Sequence, residues 1–233
     1  MVDKKVSIVA ALIVGLVVGT GIGVVADRQV LSGASVDGTC SQMQNGHGGQ
    51  MTILDGCNLH GMTAQGMDWT GSHLRGVNGD GVNLKNSVFD NSVIAGIKFN
   101  KAVMPDTSFK GTSIRGFQAN AANFQNADFG PGSEKYDTPA TTFIRMANFN
   151  GGAQLQRAKF DEAHIEHSMF HESHLDGAIF DGATIKKTTF KGNSYSSKTS
   201  FDNVKWGKNK IRGKSCEGQE CQKLIEKEIN AQT

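Results

Sequence analysis

The chain has 233 residues and a formal net charge of +2, with 29 glycines, 3 prolines and 38% apolar residues. So small a charge excludes the strong electrostatic pull of a nucleic-acid binder. An ordinary globular core is not the expectation from so modest an apolar content, part of it confined to one N-terminal block; a repeat with a thin, continuous core fits better. The charge is also uneven, because residues 27–185 hold 11 Lys and Arg against 16 Asp and Glu while residues 186–233 hold 11 against 5.

From Val6 to Ala26 there are 21 residues without a charge. That length predicts a helix crossing a bilayer, so residues 1–26 read as a signal-anchor. Lys4 and Lys5 precede it, and Asp27 and Arg28 cancel each other. The positive-inside bias then places the N-terminus in the cytoplasm and residues 27–233 on the extracytoplasmic side. Ser7, Ala11, Gly15, Gly19 and Gly23 recur at every fourth position and form one stripe of small side chains. Such a stripe suits close packing against a transmembrane partner helix or a second copy. Val24-Val25-Ala26 also has the small-residue pattern of a signal-peptidase site. Cleavage, with release as a secreted or periplasmic binding protein, is therefore the alternative; the long apolar stretch and the stripe favour retention.

Residues 27–50, rich in Gly, Ser and Gln, read as a tether and first cap. A five-residue period then begins. Steps of five from Leu54 to Phe129 give sixteen slots, of which thirteen are large and apolar. Positions two residues earlier are mostly small, such as Cys57, Ser72, Ser87, Ala102 and Ala122. Where the main slot is Ala64, Gly79 or Ala119, the earlier one is Met62, Val77 or Phe117. Volume lost at one position returns at the other, as two inward-facing columns sharing one core require. The pattern resumes at Ile144, slips by one residue at Asn150-Gly151-Gly152, runs from Leu155 to Phe190, and slips again before Phe201 and Trp206.

This period is neither helical nor a simple strand alternation. Ala-Asn-Phe-Gln-Asn (122–126), Ala-Lys-Phe-Asp-Glu (158–162) and Ala-Ile-Phe-Asp-Gly (178–182) resemble the A(D/N)LXX signature of the pentapeptide-repeat family. The resemblance covers roughly residues 50–207. It implies an all-β fold, a right-handed quadrilateral β-helix over 51–207 with four repeats per coil and both columns inward. Residues twenty apart then stack ~4.8 Å from each other. Asp90 is expected near Lys110 and Glu166 near Lys186, with Asp80, Asn100 and Asn120 as a polar ladder. Some relatives protect DNA gyrase by presenting an acidic rod; this chain, basic at its C-terminal end and read as exported, departs from that pattern.

The remaining features lie around the repeat. An insertion at 130–140 carries Pro131, Tyr136 and Pro139 and reads as a surface loop or a binding loop. Four cysteines in an exported chain suggest disulfides, with Cys40–Cys57 and Cys216–Cys221 as the sequence-local pairing; Cys57 alternatively is a small buried residue on an inward position. Residues 208–219 read as a basic linker, and 220–230 as a capping helix with Cys221, Leu224, Ile225 and Ile229 on one face. Lys205, Lys208, Lys210, Arg212 and Lys214 form a basic end suited to anionic lipid or an acidic partner. His164, Glu166, His167, His171, Glu172 and His174 suggest a metal site by composition, but the repeat frame spreads them over different faces. No nucleophile triad, phosphate loop or dinucleotide fingerprint occurs, so no cofactor and no enzyme activity are expected. The expectation is a structural scaffold or accessory subunit at a membrane, with protein partners on the repeat surface.

Overall fold

Twenty residues separate each hydrogen-bonded neighbour from the next. The computed structural model describes residues 53–133 and 141–233. Ile53 bridges His73, Asn58 bridges Asn78, Thr63 bridges Asn83 and Asp68 bridges Val88, all parallel. Four repeats therefore make one four-sided coil, whose sides are called A to D in that order. Side A carries the strands β1 (His73–Arg75), β2 (Val93–Ala95), β3 (Ser113–Arg115), β4 (Phe143–Arg145), β6 (His164–Glu166), β8 (Thr184–Lys186) and β10 (Lys205–Trp206). Side B carries β5 (Asn148–Asn150), β7 (Met169–His171), β9 (Thr189–Lys191), β11 (Asn209–Ile211) and β12 (Lys214–Cys216). Sides C and D are joined by single bridges.

Corners recur because the chain turns after each inward residue. Cys57 N–H donates to Leu54 O and Met62 N–H to Leu59 O, closing a tight turn. Two residues past the inward slot, φ is positive, as at Gly56 and Asn91. That is the conformation a type II turn demands at its third position. Met146, at φ 55°, adopts it without the help of a glycine or an asparagine.

Both predicted columns point inward and are buried, from Leu54 and Cys57 to Phe190 and Thr188. Side D stacks Phe89, Phe109, Phe129, Phe160, Phe180 and Phe201, with ring centroids 4.5–4.9 Å apart and nearly parallel planes. Phe149, Phe170 and Phe190 stack on side B and meet the side D rings edge-on at 5.9–6.1 Å. Both geometries are favourable for the ring quadrupoles. The volume exchange also runs along the axis: a Cβ on Gly79 would fall 2.2 Å from Phe99 Cε1, one coil later. Phe117 similarly lies edge-on to Phe99 at 5.6 Å.

Inward hydroxyls cap carbonyls of the coil before. Ser92 Oγ donates to Trp69 O at 2.7 Å and Thr112 Oγ1 to Phe89 O at 2.8 Å. Outside the coil, several N–H groups just after the inward slot meet a side chain in place of the ladder, whereas those of Gly207 and Arg212 donate to Ile185 O and Phe190 O. An Asp or Asn one coil earlier accepts from the former: Asp55 from Arg75 N–H at 3.1 Å, Asp80 from Asn100 N–H at 2.9 Å, Asn100 from Asn120 N–H at 3.1 Å. The predicted Asp80, Asn100, Asn120 ladder is thus present, and both asparagine amides add a second bond to it.

The frame shifts fall where the period breaks. Ser113 pairs with Phe143, thirty positions on, so the insertion leaves the register intact. Asn123 pairs with Gln154 and Ile179 with Ser200, each one residue long. Gly151 and Gly152, both at positive φ, absorb the first slip.

The C-terminal end corrects one expectation. Residues 208–219 are not a linker: β11 adds in parallel to β9, and β12 folds back on β11. Arg212 and Gly213, both at positive φ, form the hairpin turn. The reason is that Asn209 and Ile211 are inward and buried. Asn209 substitutes an amide for an apolar slot, donating to Ile185 O and Gly207 O and accepting from Thr188 N–H. The helix α1 (Gln219–Asn230) then covers the end, with Cys221 and Ile225 buried and Leu224 and Ile229 partly buried against the core. Trp206 Nε1 donates to Gln222 Oε1 at 2.8 Å, and Gln232 bridges Tyr195 N–H and Asn193 O. No helix among the described residues is long and apolar enough to cross a membrane. The predicted signal-anchor 1–26 and the tether 27–50 lie outside them.

This packing sets the cost of two changes. Gly79→Ala forces a methyl into the Phe99 ring and lowers unfolding free energy by about 1–3 kcal/mol in urea denaturation; the same substitution in a Phe99→Leu background costs clearly less. Replacing Cys216 and Cys221, which are joined by a disulfide, with alanine frees α1 and costs about 2 kcal/mol for so short a loop. Amide exchange should show this loss concentrated in β11, β12 and α1.

Candidate functional site

The outward positions of the coil sort by charge. Immediately after each inward slot, side A presents Asp55, Arg75, Ala95, Arg115, Arg145, Glu166, Lys186 and Gly207. The same positions on side D are Thr70, Asp90, Lys110, Gly130, Asp161, Asp181 and Asp202. From the positions just before the slot, Asp68 and Asp128 add to the acid of side D and Lys159 opposes it. Side A is thus mainly basic and side D mainly acidic, and the two share one edge of the rod.

Side D carboxylates serve the fold as well. Asp90 Oδ1 accepts from Ser108 Oγ at 2.5 Å and from Lys110 N–H at 2.9 Å. Asp181 Oδ1 repeats this with Ser200 Oγ and Asp202 N–H. Burial pushes the Asp90 carboxyl above its ordinary value of 3.8, against the pull of the Ser108 and Lys110 contacts. Burial also raises Asp161, with Asp128 adding to the effect. The ion pairs differ from those expected. Lys110 stacks beside Asp90, but its ammonium reaches Asp128 at 3.3 Å, because Asp90 is already engaged by the backbone. Glu166 is in register with Lys186 yet pairs with Arg145 at 3.3 Å and Lys187 at 3.9 Å.

The basic end is built differently from its sequence reading. Lys205, Lys208, Lys210 and Lys214 are exposed around sides A and B. Arg212 is diverted into a 2.8 Å ion pair with Glu228 of α1 and so fastens the cap. Three lysines outside the sequence-predicted set join the patch. Lys187 N–H donates to Lys208 O, placing those two residues on adjacent coils, and Lys191 follows the same register beneath Arg212. Lys186 lies against Gly207. The signal for them is the step of twenty-one after the second slip. An open groove of about 670 Å³ here is lined by Lys187, Lys208, Lys210, Asn209, Ser215 and Glu220, among others.

The other candidates divide between described and undescribed positions. Ser7, Ala11, Gly15, Gly19, Gly23, Cys40, Tyr136 and Pro139 lie outside the described residues. Cys57 is buried and disulfide-bonded, so the reading as a merely small inward residue is too weak. Pro131 is half-buried, and the following Gly132 packs closely on Gly111 and Asn91. The histidines remain apart on sides A, B and C. His164 meets Phe143 edge-on, and His174 Nδ1 lies 3.2 Å from Ser194 Oγ. His171 Nε2 is buried without a hydrogen-bond partner. Among the described residues, no group of three or more His, Cys, Asp or Glu is placed to hold a metal ion.

The family model described as pentapeptide repeats matches residues 52–91 and 152–192, in eight copies. No curated protein matches the sequence. The fold is similar to a trypsin-treated variant of QnrB1, a plasmid-mediated fluoroquinolone resistance protein, at 16% identity over 76% of this chain and 95% of that one, with a TM-score of 0.32. It is similar to Rfr23 from the cyanobacterium Cyanothece 51142 at 16% identity over 65% and 88% of the two chains, TM-score 0.25. It is also similar to HetL, involved in heterocyst differentiation regulation in Nostoc sp. strain PCC 7120, at 13% identity over 76% and 96%, TM-score 0.21.

Asp90→Asn tests the cost of the buried carboxylate. A raised folded pKa means that the folded state binds the proton more tightly, so ionised Asp90 opposes folding above that pKa. The amide oxygen keeps both acceptor contacts. Thermal melts should therefore show the variant more stable at pH 7, and its advantage should vanish as pH falls through the folded pKa toward 3.8.

Proposed function

The chain is a pentapeptide-repeat protein, and on that premise we propose that it acts as a non-enzymatic scaffold or accessory subunit of a membrane-associated complex. Residues 6–26 hold it in the membrane, with their stripe of small residues against a partner helix. The repeat rod stands on the extracytoplasmic side and offers its flat, charge-sorted sides to protein partners. The carrying observation is the parallel ladder, which runs from coil to coil between Ile53 and Ile211 across both slips and the insertion and keeps the outward side chains of the described coils on one of four sides. Large flat surfaces of this kind serve recognition rather than the enclosure of a substrate. The bonded cysteines at both ends of the rod, Cys57 and the Cys216–Cys221 pair, suit an oxidising compartment.

Intact-mass analysis of the protein from its native membrane, with purification in mild detergent, tests the reading. A full-length N-terminus and a stoichiometric partner are expected. A mature chain beginning at Asp27 overturns the anchor in favour of a released binding protein. A full-length chain that stays free of partners after chemical crosslinking in the membrane overturns the subunit role.

A further inference from the structure

Sides A and D belong to one chain, share one axial repeat and carry opposite charge. The order of those charges along the rod is informative. Read from the N-terminal end, side A runs Arg75, Ala95, Arg115, Arg145, Glu166, Lys186. Read from the C-terminal end, side D runs Asp202, Asp181, Asp161, Gly130 with its neighbour Asp128, Lys110, Asp90. Laid against each other in these opposite directions, the two series oppose unlike charges at four of six levels, and at a fifth Arg145 meets Gly130, whose neighbour Asp128 is acidic. The sixth sets Asp181 against the small Ala95. Glu166, the acid of side A within these six coils, meets Lys110, the one base of this series on side D; within one copy Glu166 pairs with Arg145 and Lys110 with Asp128. In the parallel direction the fit is poorer, because Glu166 then faces Asp181.

We propose that a second copy of this chain docks its side D antiparallel on side A, coil against coil. Both rods repeat at the same ~4.8 Å, so successive levels come into register together without bending either rod. Each pair is weak on its own, and the fit depends on several acting at once. Such a contact is strongly reduced by salt. Side A of the second copy remains open, so the contact is heterologous and extends to further copies.

Sedimentation velocity of the full-length chain in mild detergent, at low and high salt, tests this directly. Association at low salt that is lost at high salt is expected. Arg75→Glu and Asp202→Lys each weaken it roughly tenfold, since each replaces an attractive contact with a repulsive one. Both side chains are exposed, and circular dichroism and thermal melts should show the rod intact. The two substitutions combined in one chain restore association, because the facing positions then carry unlike charges again, with their signs exchanged. A monomer at both salts overturns the proposal. So does salt-insensitive association, which would belong to the small-residue stripe of residues 7–23. Restoration of Asp202→Lys by Lys186→Glu instead of Arg75→Glu would show the parallel arrangement and overturn the antiparallel one. This measurement reads contact between copies alone, so its failure leaves the scaffold role standing.

Discussion

The parallel hydrogen bond from each residue to the one twenty positions away governs this molecule. It fixes the distance between coils at one strand spacing, ~4.8 Å. Everything packed inside or displayed outside must then repeat at that distance. Phenylalanine rings suit it because flat rings stack at 4.5–4.9 Å, which is why side D can carry six of them in line. Residues that do not fill their share of the height borrow from the next coil, as Gly79 does from Phe99. The ladder also leaves some polar groups unserved, and small side chains complete it. Inward hydroxyls reach carbonyls of the coil before, and outward Asp and Asn collect the N–H that the ladder omits.

The same constraint shapes the electrostatics. A like-charged column at strand spacing repels itself, so side D places Lys110 and Lys159 beside Asp128 and turns Asp90 and Asp181 onto backbone and hydroxyl donors. The carboxylates are therefore held at fixed positions along the side. The basic end is less balanced. Arg212 is committed to the cap, while the lysines around it stay in solvent.

Much of the rod is legible in the sequence because its inward slots are chemically uniform. A large apolar residue every fifth position, with a small one two places before it, announces the coil, and the volume exchange announces that both face inward. The two slips and the ten-residue insertion are also readable, since a broken period is visible wherever the period is strong. Legibility fails where the slot chemistry changes. Asn209 satisfies an inward position through its amide, so β11 reads as linker, and the lysines on either side reinforce that impression. Ion-pair partners escape the sequence for another reason. Stacking fixes where backbones lie, but a lysine stem reaches several carboxylates, and Asp90 is already occupied. The charge order of side D is present in the sequence and is recognised only when read every twenty or twenty-one residues.

The slip at Gly151 and Gly152 has a wider consequence. In a coil with a fixed count per turn, losing or gaining one residue would rotate the remainder of the chain, bringing polar residues inside and phenylalanines out. A pair of glycines at a corner confines that error to a single turn. The ten extra residues beginning near Gly130 likewise leave the next coil in phase. Corners are therefore where such a protein tolerates a change of length, and the sides are where it does not. A rod built this way can be lengthened or fitted with a new loop at its edges while every side keeps its pattern.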